Sequence, residues 1–180
     1  MAPTASLQNN LGFRRVLQMV KPDSLEDTVQ QVWLAIVTSW FPSREDYIWS
    51  FKSPALVHDD MPNLTVIQVM KVSPNPEEPD GWSEHPILLV ECKRPSRDVP
   101  LSWDNTIRTQ CRDVLSQTNN DPRQLFGIVA IGTKARFYRF DGEASSDQQL
   151  AQLHQGTLDM SDPTGIPQVE SMMDYIKANA

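Results

Sequence analysis

Ile87-Leu88-Leu89-Val90-Glu91-Cys92-Lys93-Arg94-Pro95 runs four apolar side chains straight into a carboxylate, a thiol and an ammonium. That is the pattern of a strand with a buried beginning and a charged end. Side chains alternate along a strand, so Glu91 and Lys93 share one face and Cys92 takes the other. Two opposite charges on one strand face suit phosphodiester hydrolysis. A carboxylate holds a hard divalent cation, and a lysine stabilises charge developing on the phosphate or helps a water attack. The same pattern also marks a strand end with a surface ion pair, the commoner occurrence of Glu-x-Lys.

The chain around this stretch has 180 residues, enough for one domain with a sizeable core. Aliphatic runs alternate with helical patterns, which argues for an α/β architecture. No apolar run approaches the roughly 20 residues needed to cross a bilayer, so no membrane association is expected. The start, MAPTASLQNN, lacks the basic and apolar regions of a secretory signal. Cys92 and Cys111 have no metal-type spacing and read as buried free thiols in an intracellular compartment, cytoplasmic or nuclear. A net charge of -7 argues against nonspecific nucleic-acid binding. The segment Glu91 to Arg139 is nevertheless +4, leaving -11 elsewhere, which allows a basic face on an acidic body or ordinary solvated charge.

Outward from the central stretch, Leu7 to Val20 reads as a short helix weakened by Gly12. A clearer helix follows, with Ser24 as its cap and Val29, Val32, Trp33, Ile36, Val37 and Trp40 on its apolar face until Phe41-Pro42. Glu26 lies in its first turn, where a carboxylate favours the helix dipole. Tyr47 to Val57 is an edge strand or extended arm, because Pro54 excludes a central strand. Leu64 to Val72 is a β-branched strand with Pro62-Asn63 at its mouth. A proline-rich loop, Ser73 to Pro86, returns the chain to Ile87, and the two strands most simply pair antiparallel. Beyond Pro95, a helix over Ser102 to Thr118 carries Trp103, Ile107, Cys111, Val114 and Leu115 inward, with Gln110 and Gln117 on a neighbouring face. Leu125 to Ile131 is a buried strand, Gly132-Thr133 a turn, and Ala135 to Phe140 an alternating strand. The segment EASSDQQLAQLHQ reads as polar and partly disordered, Thr157 to Met160 as a short strand, and Gln168 to Lys177 as a helix with Val169, Met172, Met173 and Ile176 inward.

Other constellations carry less. His58 beside Asp59 and Asp60 could ligate a metal, but such a cluster is more often a solvated turn. No serine sits in a nucleophile-elbow context. Trp49, Phe51, Trp82 and Trp103 could stack on bases, although packing explains them as well.

The order helix, strand, strand ending Glu-x-Lys, helix with glutamine, strand, strand resembles the PD-(D/E)XK nuclease superfamily, over about Ser24 to Phe140. Its most specific piece is LLVECKRP, followed 17 residues after Lys93 by Gln110 in TQCRDVL. VECKRP with GIVAIGTKARFYRF downstream is similar to uncharacterised fungal members of that superfamily. The resemblance implies a restriction-endonuclease-like mixed β-sheet flanked by helices at 24–140, between an N-terminal extension (1–23) and a C-terminal one (141–180). It further implies a Mg²⁺- or Mn²⁺-dependent nuclease acting on DNA or RNA, and in many members a homodimer. Carried over residue by residue, Glu91 and the Cys92 backbone carbonyl would bind the metal, Lys93 would be the motif lysine, Glu26 the first-helix acid and Gln110 a glutamine lining the site. The motif aspartate is missing: Pro62-Asn63 stands there, 28 residues before Glu91. Asparagine offers a neutral oxygen in place of a charged one, which lowers metal affinity. Three explanations compete: a degenerate nuclease fold that binds a protein or nucleic-acid partner, a charge supplied by Asp59 or Asp60, or an inactivating substitution at Asn63.

Overall fold

A computed structural model of the chain describes residues 6–52, 65–117 and 124–180. Helices α1 (Leu11–Met19) and α2 (Glu26–Trp40) precede strands β1 (Tyr47–Lys52), β2 (Thr65–Pro74) and β3 (Trp82–Lys93). Helix α3 (Asn105–Gln117) leads to β4 (Gln124–Ile131), β5 (Lys134–Asp141), β6 (Leu150–Gln152), β7 (Leu158–Asp159) and α4 (Gly165–Asn179). The strands form one seven-stranded sheet in the order β1-β2-β3-β4-β5-β6, with β7 also on β5. All these pairs are antiparallel except β3 with β4. Helix α3 lies between those two strands in sequence, because a parallel pair needs a crossover rather than a hairpin. The architecture is mixed α/β, with helices on both faces of a mixed sheet.

Alternation along β3 sorts the two layers. Leu88, Val90 and Cys92 join α1, α2 and α4 in one buried cluster that includes Trp33, Phe137 and Met173. Leu89 joins α3 in the other, with Trp103, Ile107, Cys111, Val129 and Tyr138. All six apolar α2 residues read from the periodicity are buried, and both cysteines are buried free thiols. The turn at Gly132-Thr133 joins β4 to β5, and Gly132 takes the positive φ of 62° that such a tight hairpin requires.

Several expectations need correction. The loop expected over Ser73 to Pro86 shrinks to the residues between Pro74 and Trp82, and β3 begins at Trp82. Pro86 is accommodated inside the strand because the register slips there: Val69 pairs with Leu88 but Met70 with Pro86, leaving Ile87 as the extra residue of a bulge. Ser24 does not cap α2. Leu25 holds that position, while the Ser24 hydroxyl accepts from Lys21 N at 2.8 Å and ties the α1–α2 turn. The segment expected to be partly disordered contains β6, which pairs with Tyr138 to Phe140. Helix α1 is shorter than expected and starts after Asn10, whose side chain caps Phe13 N. Pro54 and the stretch from His58 to Asn63 lie outside the described residues.

The height of α3 above the sheet is set by Gly127. A Cβ there would meet Ile107 Cγ1 at 2.8 Å and Cys111 Sγ at 3.5 Å, so the helix rests directly on the β4 backbone. Ile107 is wholly buried and has no free direction in which to yield. Gly127→Ala should therefore destabilise the fold by about 1–3 kcal/mol despite the better strand propensity of alanine, read from urea unfolding. No change, or a gain, would contradict this packing.

His154 supplies a pH dependence. Its Nε2 accepts the backbone N–H of Phe137 at 3.1 Å, which only an unprotonated nitrogen can do, and burial holds its pKa below the ordinary histidine value. The unfolded chain therefore takes up this proton before the folded one does. Stability present at pH values above the unfolded histidine pKa of about 6.5 is lost as the pH falls towards the lower folded value. Urea midpoints between pH 7.5 and 5.5 should fall more steeply for the unmodified chain than for His154→Gln. Equal slopes would remove His154 from the pH response.

Candidate active site

The register places Glu91 between Val66 of β2 and Val129 of β4, on the face covered by α3. Its carboxylate is wholly buried, and Lys93, two residues on, is nearly so. Lys93 Nζ lies 2.9 Å from Glu91 Oε1. It also donates to Thr106 Oγ1 at 2.9 Å and to the backbone carbonyl of Ser102. The three protons of the ammonium thus meet three acceptors. Thr106, in the first turn of α3, donates its hydroxyl proton to Glu91 Oε1 at 2.5 Å. Glu91 Oε2 is buried and has no hydrogen-bond partner among the described residues.

The segment carrying Ser102 is pinned from behind. A short 3-10 turn, Pro100–Ser102, leads to the buried Trp103, whose indole N–H donates to Asp98 Oδ1 at 3.2 Å. Asp98 Oδ2 in turn accepts from Lys134 Nζ at 2.6 Å. The guanidinium of Arg136, on β5, stacks 4.5 Å from the Trp103 ring.

Glu26 is the first residue of α2 and is nearly buried. Arg94 occupies it through two bonds, Nε to Oε1 at 2.6 Å and Nη2 to Oε2 at 3.2 Å. Because Arg94 follows Lys93, it turns towards the α2 layer, so Glu26 reaches the same end of β3 as Glu91 from the opposite layer. Gln110 lies one turn beyond Thr106 on the same flank of α3 and is half-buried. The opposite flank is taken by Arg108 and Arg112, which reach the Ser146 carbonyl and Gln149. The Cys92 backbone runs between Thr65 and Ala130 in the sheet. Asn63, Asp59 and Asp60 lie outside the described residues.

Two side chains of this region escape the motif reading. Thr106 is fifteen residues past Glu91 in sequence and four before Gln110; only that four-residue spacing hinted at a shared helix face. Gln68 is a buried glutamine on the same sheet face, opposite Leu89. A polar residue inside the β-branched run LTVIQVMKV was the available signal.

The two thiols take no part in nucleophilic chemistry. Burial first, and the nearby Glu91 charge second, push both Cys92 and Cys111 above the ordinary thiol range, so neither supplies a thiolate at neutral pH. Among the described residues no three His, Cys, Asp or Glu side chains gather in one cluster, and no helix is long and apolar enough to cross a membrane. Comparison with protein-family models, with curated proteins and with solved structures finds no match.

Proposed function

We propose that the chain is a metal-dependent nuclease of restriction-endonuclease-like fold, hydrolysing phosphodiester bonds of DNA or RNA and impaired by Asn63 in place of an aspartate. The observation that carries this reading is the buried Glu91–Lys93 pair with Glu91 Oε2 left without a partner among the described residues. An orphaned buried carboxylate oxygen is expensive, and a cation is the partner that would compensate it best. The order helix, three strands, crossover helix and a parallel fourth strand also supports the fold assignment.

The donor chemistry fits Mg²⁺ or Mn²⁺, which take oxygen ligands. Glu91 Oε2 would hold the ion, with further oxygens from the Cys92 carbonyl, Asn63 or Asp60. Bound there, the ion would polarise a phosphoryl oxygen and lower the pKa of a water. Lys93 would neutralise charge on the phosphate, and Gln110 would line the approach along the flank of α3. Glu26 fixes the end of β3 through Arg94. The buried free thiols support an intracellular setting, cytoplasmic or nuclear.

A second reading, a degenerate nuclease fold binding a protein or nucleic-acid partner, is favoured by one feature. All three Lys93 donors are engaged within the protein, and of the cations near the end of β3, Arg94 and Lys134 are also paired with acids. Cleavage of labelled DNA and RNA in Mg²⁺ and Mn²⁺ separates the two. Asn63→Asp should cut about 10–100-fold faster than the unmodified chain, and Lys93→Ala placed in that variant should abolish cutting. Silence from both the chain and Asn63→Asp, with no metal-dependent rise in Tm, would leave the binding module.

A further inference from the structure

The hydrogen bonds around Glu91 can run in one direction only. An ammonium has protons and no lone pair, so Lys93 Nζ must donate to Thr106 Oγ1. The Thr106 hydroxyl has a single proton, and Glu91 Oε1, 2.5 Å away, receives it. Lys93 also donates to that same oxygen at 2.9 Å. One carboxylate oxygen therefore takes two bonds while the other, also buried, has no partner among the described residues.

We infer that Thr106 is a positioning residue that selects which oxygen of Glu91 meets a divalent cation, holding Oε1 inward on the Lys93 side and leaving Oε2 as the metal donor. This rests on the metal reading of the site. A carboxylate bonded through Oε1 to the ammonium alone could rotate about its last bond and bring either oxygen to Lys93. The second bond, from a hydroxyl fixed in the first turn of α3, removes that freedom. The Thr106 backbone is held in α3 beside Ile107, and Ile107 rests on Gly127. The oxygen selected is thus defined by the packing of α3 on the sheet rather than by a flexible loop.

The test is Mn²⁺ binding followed by electron paramagnetic resonance and by the metal-induced rise in Tm, neither of which requires turnover. Thr106→Val keeps the shape and removes both hydrogen bonds; Thr106→Ser keeps the hydroxyl. Outer-shell partners of metal ligands are typically worth 10–100-fold in affinity. Thr106→Val should weaken Mn²⁺ binding by about tenfold or more, while Thr106→Ser should stay within about threefold of the unmodified chain. Thr106→Ala, which removes the hydroxyl without adding bulk, should behave as Thr106→Val does if the valine form folds poorly. Binding that disappears in Glu91→Gln but is unchanged in Thr106→Val and Thr106→Ala would overturn the role of Thr106 alone. Absence of Mn²⁺ binding by the unmodified chain and by Asn63→Asp would overturn the metal reading and this role with it.

Discussion

Glu91 has no exposure to solvent, and a buried carboxylate costs several kcal/mol unless charge and hydrogen bonds replace the water it has lost. Much of the surrounding architecture meets that demand on one side of the group. Lys93 comes from the same strand face, Thr106 from the first turn of α3, and the Ser102 carbonyl holds the ammonium from the segment before that helix. Each contact requires α3 to begin where it does. The helix can begin there because the parallel pairing of β3 and β4 forces a crossover over this face, and because Gly127 lets the crossover lie against the β4 backbone. A side chain at position 127 would lift Ile107 and, with it, the turn that carries Thr106.

The opposite layer meets a different demand at the same end of β3. Arg94 follows Lys93 and alternation sends it towards α2, where Glu26 stands at the positive end of the helix. A carboxylate there is stabilised twice, by the dipole and by the guanidinium fork. Two consecutive cations at a strand end are thereby separated into two ion pairs on two layers. Glu91 and Glu26 are joined by the strand between them rather than by a shared cation.

How far the fold could be read from the sequence depended on whether one local pattern decided each element. The α2 face was legible because six large apolar residues recur at helical spacing, and Ile87 to Lys93 because an apolar run meets its own charges. Pro86 misled, since proline normally ends a strand. The bulge that accommodates it depends on β2 slipping by one residue, and no local pattern encodes that. Residues 150–152 misled in the other sense: they lie in the polar segment EASSDQQLAQLHQ, which matches a loop, yet an edge strand needs little more than a neighbour with open backbone groups, and β5 provides one. In the candidate site, Glu91 and Lys93 were legible as an i, i+2 pair on one strand. Thr106 was not, because its partnership with them is created by the placement of α3, and a threonine in a polar helix has no signature of its own.

Glu91 and Glu26 are satisfied in different ways. An ion pair that serves only the fold gains most when both carboxylate oxygens are satisfied, as the two bonds of Arg94 satisfy Glu26. Glu91 concentrates a hydroxyl and an ammonium on Oε1 and leaves the buried Oε2 without a partner among the described residues. Gln68, buried on the same sheet face, does not hydrogen-bond to it. At one end of β3 the described residues thus include a carboxylate bonded through both oxygens and another bonded through one, and the latter lies beside the lysine.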